Sequence, residues 1–538
     1  MSAATRLRRL DEARQIVVFE RGHHVSFANC GLPYYVGGVI PDRAALLLQT
    51  PASLAARFAL DVRVRHEVTG IDPGARIVHV TDLDSGLSFD EPYDSLILAA
   101  GAGTPSPLRS EVPAYHLRSV EDVDEITRVL DTADGPANVV VVGAGFIGLE
   151  AVENLVARGA RVTLVQRGEH VLTPLDPEMS APVLDIMRAR GVDVRTGTTV
   201  VARGSGSVEL SDGSTVAADL VVEASGVRPE LALAISAGLA VGPAGGIAVD
   251  AHQRTSDPAI FAVGDGVEKI DAIDSEPTLV TMAGLANRHG RSAADAIAGE
   301  PADAWPSLGT AILGLFGLTI AMVGWSENRL RTAGRPHRVI HTHPASHATY
   351  YPGAEPMAMK LLVDPADDAI LGAQIVGGSG VDKRIDVIAT AMAGGLTASA
   401  LSRLELAYAP QFGSAKDAVN MVGYVADNIA TGVTTTVQWH ELAGALADGA
   451  LLVDVRSASE FHAGSIPGAV NLPLDELRAR HAELGGHPLV VHCQVGQRGH
   501  TAARLLGQMG HEVRNLDGGY TTWVAGTSSI VPVLAGPE

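Results

Sequence analysis

Two cysteines and one glycine turn are the residues in this sequence whose types and spacing invite chemistry. Cys493 sits in LVVHCQVGQRGHTAARLL, where an apolar run ends and a short loop leads into a helical pattern. The loop's backbone N–H groups, the start of that helix and Arg498 would together stabilise a thiolate, or the outer sulfur of a persulfide. Cys30 sits in SFANCGLPYY, among Ser, Asn, Gly and Pro with a helix start close by. A lone cysteine is more often a small buried hydrophobe than a nucleophile, but this setting keeps a thiol reachable and favours its ionised form. No second cysteine lies four or five residues away. A redox role for Cys30 therefore needs a sulfur from outside, or its own sulfenic acid. The third feature is Gly143-Ala-Gly145-Phe-Ile-Gly148, which follows VVVV, opens LEAVENLVARG and is followed by RVTLVQ. In that context the glycines serve a tight turn, close approach to a pyrophosphate and helix–strand packing. The second strand ends in Gln166-Arg167 rather than an acid, which leaves both NADH and NADPH open, with the arginine suited to a 2′-phosphate.

These residues need a scaffold, and the chain is long enough for three or four cores: 538 residues, 46% of them apolar, with 59 glycines. Forty Lys+Arg against 61 Asp+Glu give a formal charge of −21, which argues against nucleic acid or anionic membrane as a partner. Two cysteines cannot form a disulfide framework, so a reducing cytoplasm is the expected location. No N-terminal stretch has the charged-then-apolar build of a signal peptide. The uncharged run LGTAILGLFGLTIAMVGW (308–325) is broken by glycines and followed at once by charge, so it reads as a buried strand pair or subunit interface rather than a membrane span.

Strands alternating with helices predict parallel, doubly wound sheets from the start to about residue 300. Residues 1–12 read as an amphipathic helix and Ile16–Phe19 as a strand ending at Glu20. DSLILAAGAGTPSP (94–107), ADLVVEASGVRPE and PAIFAVGDGVE are buried strands ending in glycine-containing turns. HATYYPGAEPMAMKLLVDPADDAILGAQIVG reads as two alternating strands joined by an acidic turn, with the helix VDKRIDVIATAMAGG after them. ATGVTTTVQ (430–438) reads as a linker, and a fresh α/β unit follows it.

SFANCGLPYY, LILAAGA, GAGFIGLE, TSDPAIFAVGD, YYPGA, GVDKRIDVIAT and LELAYAPQFGSAKDAVNM together resemble the pyridine nucleotide–disulfide oxidoreductases, in their single-cysteine branch of coenzyme A disulfide and persulfide reductases. LLVDVRSASEFHAGSIPGAVNLP with the Cys493 loop resembles a rhodanese, a sulfurtransferase domain. The resemblance implies an α/β chain with two doubly wound Rossmann-like domains for FAD and NAD(P), an α+β dimerisation domain and a C-terminal rhodanese domain. The expected boundaries are 1–109 with 246–304 for FAD, 110–245 for NAD(P), 305–428 for dimerisation and 429–538 for linker and rhodanese.

The resemblance also implies roles. Cys30 would form a mixed disulfide with CoA or attack a persulfide. Tyr350 and Tyr408 would enter the active site from the partner subunit of a homodimer and protonate the departing thiolate; Tyr408 also matches a cofactor contact. Glu20, Arg21, Ala100, Gly101, Gly264 and Asp265 match FAD positions, while Gly143, Gly145, Gly148, Gln166 and Arg167 match NAD(P)H positions. Ser26 and Asn29 flank the cysteine where CoA is expected, and Arg6, Arg9, Arg63, His289 and Lys416 match positions facing its phosphates. Cys493 and Arg498 carry the sulfurtransferase chemistry, with Asp454 and Arg456 bracing it; no metal is expected. The expected partners are CoA disulfide or persulfide and sulfane-sulfur donors. The family's APP appears here as Ala409-Pro410-Gln411, and its small-residue ATG turn as Ala-Ala-Gly (99–101). The family's first glycine turn would lie upstream of Ser2, so flavin is expected to be held less tightly. The alternatives are an NAD(P)H oxidase or peroxidase cycling through a sulfenic acid, and a sulfurtransferase whose flavin half is inactive.

Overall fold

Packing in the computed structural model, which describes residues 1–104 and 111–528, divides the chain into two units. One is Met1–Arg167 with Thr198–Ser307, the other Gly168–Gly197 with Leu308–Glu538. The domain boundary expected at 109 lies outside the described residues.

In the first unit, helix Ser2–Leu10 buries Ala3 and Leu7 against Ala294 of helix Ala283–Ala298. Its buried Arg8 donates to four carbonyls, those of Phe58, Ala59, Asp11 and Glu12, so the charge is spread over acceptors rather than exposed. Strand Val17–Glu20 pairs in parallel with Asp61–Val64, and Leu96–Leu98 with Ile260–Ala262. A doubly wound sheet runs in the order Ala114–His116, Leu220–Glu223, Asn138–Val142, Arg161–Val165. Its central strands are valine-rich and buried on both faces, the pattern of parallel strands covered by helices.

In the second unit the uncharged run becomes the hairpin Ala311–Leu315 and Leu318–Gly324, a strand pair at one side of a five-stranded antiparallel sheet. Among the described residues no helix is long and apolar enough to cross a membrane. The sheet continues through Ile370–Gly377, Met357–Val363 and Arg338–Thr342, and shares its core with helices Val381–Ala393 and Ala418–Ala430. A five-stranded parallel sheet follows, in the order Thr436–Val437, Val513–Leu516, Leu489–His492, Leu451–Asp454, Val470–Asn471. The stretch expected as a linker is thus corrected in part. Its β-branched threonines suit a strand, Thr436–Val437 joins the sheet, and Thr434 and Gln438 are buried with hydrogen-bonded side chains.

One buried charge organises this unit. Lys360 is fully buried, and its ammonium contacts Asp176 at 2.9 Å, Glu327 at 2.6 Å and Glu178. The three carboxylates lie within 4.8 Å of one another, a metal-like spacing, and Lys360 supplies the positive charge among them. Asp176 also accepts from the backbone N–H groups of Glu327 and Asn328 at the start of helix Glu327–Thr332, and from Gln374 Nε2 at 2.8 Å. Replacing Lys360 by Met would leave the carboxylates without their cation, which typically costs about 3–5 kcal/mol. The urea midpoint of Lys360→Met should therefore fall well below the parent's at neutral pH, and the gap should narrow in acid as carboxylates protonate. Equal midpoints at neutral pH would contradict this reading.

Candidate functional site

Strand Ser26–Phe27 pairs with Leu47–Gln49, and a 3-10 turn Asn29–Gly31 then hands over to helix Leu32–Val36 with Pro33 in its first turn. A side chain at Gly31 would meet Leu46, Ala28 and Ile40 at 3.1–3.3 Å, so the turn packs closely at this position. Cys30 is exposed on it, with Asn29 exposed and Ser26 half-buried beside it. One helical turn on, Tyr34 Oη donates to Glu150 Oε1 at 3.4 Å, and burial pushes the Glu150 carboxyl up. Sequence reasoning did not single out this pair, because its members stand 116 residues apart.

The glycine turn of residues 143–148 fits a phosphate-bearing cofactor. Gly143 has φ +102°, and a Cβ there would lie 2.5 Å from the Ala224 carbonyl oxygen. A Cβ on Gly148 would lie 1.9 Å from the Gly143 carbonyl oxygen. Gly145 meets nothing within 4 Å, so the chain leaves space open above it, at the start of helix Phe146–Ala157, which has no side-chain cap. That is the site a pyrophosphate needs. Gln166 reaches back, its Oε1 accepting from Ala144 N–H at 3.0 Å, and Arg167 is exposed next to it. A second, small cleft is mostly apolar, with Leu98, Leu233, Ile247 and Val267 in its lining beside Gly101 and Gly266. A Cβ on Gly266 would sit 2.6 Å from the Gly101 carbonyl oxygen, so this cleft too depends on missing side chains. Gly101 (φ +73°) and Gly264 (φ +88°) make its turns. Asp265 follows Gly264, and Lys269 Nζ braces that turn by donating to the carbonyls of Gly264 and Val267, both at 2.7 Å. Glu20 ends its strand and accepts from Gly22 N–H at 2.6 Å, while Arg21 is largely exposed, 3.6 Å from Glu67.

The basic positions behave unevenly. Arg9 and Lys416 are exposed. Arg6 pairs with Asp295 at 2.6 Å, and Arg63 with Asp61 at 2.6 Å and Glu91 at 2.8 Å. In a chain this rich in acids these two cations are already partnered. His289 requires a correction: it is buried, and burial, with Lys269 and Arg288 nearby, lowers its pKa to about 4. It is a neutral imidazole at pH 7 rather than a cation.

In the second unit Tyr350 and Tyr408 are brought together, hydroxyl to hydroxyl at 3.0 Å, and both are exposed. The hydrogen bond to Tyr408 raises the Tyr350 pKa. Their loops are tied by Ala348 N–H to the Gly413 carbonyl at 3.0 Å and by buried Arg384, which donates to the Ser346 carbonyl at 2.9 Å and to Asp417 at 2.7 Å. Arg384 and Asp417 lie in motifs quoted above, yet nothing local marks them as a pair.

Cys493 ends strand Leu489–His492 and is buried. Gly496 (φ +89°) turns the loop into helix Gln497–Gln508. The loop is clasped by the following segment: Tyr520 and Thr521 N–H donate to the carbonyls of Cys493 and Gln494 at 2.8 and 2.9 Å. Buried Arg456 chelates Asp454, donates to Gln494 Oε1 at 3.0 Å and stacks 4.2 Å over Tyr520. Arg498, in the first turn of that helix, grips Glu460 through two bonds of 2.6 and 2.8 Å. That grip holds the Glu460 carboxyl down at about 2. Glu460 is a further residue that sequence reasoning did not single out.

Residues 1–285 match the model of the pyridine nucleotide-disulphide oxidoreductases, residues 311–439 its dimerisation domain and residues 438–526 the rhodanese-like domain. A coenzyme A disulfide reductase of Staphylococcus aureus is 34% identical over 426 residues, covering 79% of this chain and 97% of its own. The crystal structure of reduced Bacillus anthracis CoADR-RHD aligns with a TM-score of 0.96 at 42% identity, covering 98% of this chain and 96% of that one. A NAD-dependent persulfide reductase from A. fulgidus aligns with a TM-score of 0.90 at 33% identity, covering 97% of each chain. The chain therefore belongs to the pyridine nucleotide-disulphide oxidoreductases, flavoenzymes that work with FAD and NAD(P)H, and carries a dimerisation domain and a rhodanese-like domain behind the reductase.

Proposed function

We propose that the chain reduces coenzyme A disulfide and CoA persulfide with NAD(P)H, and that its rhodanese domain supplies or accepts the sulfane sulfur. The observation that carries this reading is the exposed Tyr350–Tyr408 hydroxyl pair, a proton source open to a large substrate. The exposed single thiol of Cys30 supports it, and so does the domain fused behind it. Bound FAD and NAD(P)H supply the two electrons. The Cys30 thiolate attacks CoA disulfide, forming a Cys30–CoA mixed disulfide and expelling one CoA thiolate. In a homodimer the tyrosine pair of the partner subunit delivers the proton to that leaving sulfur, and the hydrogen bond with Tyr408 raises the pKa of the Tyr350 phenol. Two-electron cleavage of the mixed disulfide releases the second CoA thiol and restores the Cys30 thiolate. The sum is CoA disulfide + NAD(P)H + H⁺ → two CoA thiols + NAD(P)⁺; with a persulfide the products are CoA thiol, H₂S and NAD(P)⁺. Ser26 and Asn29 orient the substrate beside Cys30. Arg9 and Lys416 meet its phosphates directly, whereas Arg6 and Arg63 do so by exchanging carboxylate partners. Arg167 meets the 2′-phosphate when NADPH binds. Cys493 carries sulfur as a persulfide between Arg498 and the loop N–H groups, in a reducing cytoplasm.

The two thiols should divide the work. Cys30→Ser should abolish NAD(P)H-dependent CoA disulfide reduction and retain thiosulfate–cyanide transfer, while Cys493→Ser should do the reverse. Faster NAD(P)H turnover with peroxide than with CoA disulfide would favour the sulfenic-acid alternative. Removing both hydroxyls, in Tyr350→Phe/Tyr408→Phe, should slow disulfide reduction at least about 10²-fold, as loss of a general acid does. An unchanged rate would remove the tyrosines from the reaction.

A further inference from the structure

His341 lies on strand Arg338–Thr342, buried, in register with Lys360 on the next strand. Its Nδ1 lies 2.8 Å from Asp517 Oδ2 and its Nε2 3.1 Å from Glu178 Oε1. Carboxylates only accept, so both ring nitrogens donate and the ring is an imidazolium. Asp517 Oδ2 also accepts from the His341 backbone N–H at 2.9 Å and from Gln438 Nε2 at 3.2 Å. Immediately after Asp517 come Gly518 and Gly519, both with positive φ. A Cβ on Gly518 would lie 2.8 Å from the Cβ of His341, and one on Gly519 2.5 Å from the Cys493 carbonyl oxygen. The next two residues, Tyr520 and Thr521, clasp the Cys493 loop. One side of this turn therefore rests on His341 and the other on Cys493.

We propose that His341, held between Glu178 and Asp517, is a positioning residue for the sulfur-transfer loop: it anchors Asp517 and thereby the 518–521 turn that holds the Cys493 and Gln494 carbonyls. The proposal rests on Cys493 being the sulfur carrier. It makes the geometry of that loop depend on residues of the dimerisation sheet and of helix Pro177–Ala189, outside the rhodanese domain. The groups facing His341 are Asp517, Glu178 and, behind Glu178, Lys360 with Asp176 and Glu327. His343, whose Nε2 bonds Thr522 Oγ1 at 2.7 Å, is kept neutral by burial, with a pKa near 4. Burial alone would discharge His341 too, but the bonds to Asp517 and Glu178 outweigh it and raise its pKa to about 9. A raised imidazole pKa means the anchoring is fully present below about pH 6.5 and is lost as pH rises through about 9.

The test uses the full chain with Cys30→Ser, in which Cys493 is the one remaining thiol. Alkylation of Cys493 by iodoacetamide is followed from pH 6 to 10, alongside thiosulfate–cyanide transfer. Asp517→Asn and His341→Gln, alone or combined, should each speed labelling about tenfold at pH 7, with the double variant no faster than either single one. Transfer should lose kcat about tenfold with little change in KM for thiosulfate. The labelling difference from the parent should vanish above about pH 9. Ile388→Ala, a core truncation that touches none of the hydrogen bonds named above, should lower stability and leave the labelling rate as it was. Labelling rates within twofold of the parent across the pH range would overturn the proposal, as would the Ile388→Ala pattern in all variants. A parent that transfers no sulfur yet shows the expected labelling pattern would count against the Cys493 chemistry and still support the anchoring.

Discussion

The second unit is built around buried positive charge. Lys360 has carboxylates on several sides, and each is committed elsewhere as well: Asp176 to the start of Glu327–Thr332, Glu178 to His341, Glu327 to Arg331. His337 is pulled to a raised pKa by the same Glu327. A buried ion is costly unless paired and fully hydrogen-bonded, so this cluster admits few arrangements. Each arrangement it excludes is a wrong placement of a helix or a strand. From Lys360 the bonds run through Glu178 and His341 to Asp517, and the chain after Asp517 holds the Cys493 loop. Arg384 does comparable work for the tyrosines, since its guanidinium binds the Ser346 carbonyl four residues before Tyr350 and the carboxylate that caps Ala418–Ala430.

Both thiols follow one local rule. Each stands where a strand gives way to a tight turn and a helix begins, with Gly31 closely packed after Cys30 and with Gly496 and Gly519, both at positive φ, around Cys493. Their surroundings differ. Cys30 is open to solvent, whereas Cys493 is buried. The dinucleotide cradle uses glycine by the same logic, with Gly143 and Gly148 demanded by the chain's own packing and Gly145 leaving room for a ligand.

Features set by near neighbours were legible in the sequence. The 143–148 turn, helix Ser2–Leu10, the 311–324 hairpin, and the Asp454–Arg456 brace two residues apart all follow from local pattern. The partners of the charges were not. Arg384–Asp417 spans 33 positions, Glu460–Arg498 38 and His341–Asp517 176, and a pair formed across the fold leaves no periodic trace. The reading of His289 as a cation failed for a related reason. Charge depends on depth, and depth is a property of the packed helix Ala283–Ala298 rather than of the residue type. Composition misled once more at 430–438, where threonine and glycine suggested a linker and the chain runs a short strand with buried side chains.

The measurement that bears most directly on the chemistry is an anaerobic count of thiols released per NAD(P)H oxidised when the holoenzyme meets CoA disulfide. Two CoA thiols for each NAD(P)H, with no need for oxygen, is the expected result. NAD(P)H oxidation that proceeds only with oxygen or peroxide, and releases no CoA thiol, would contradict it.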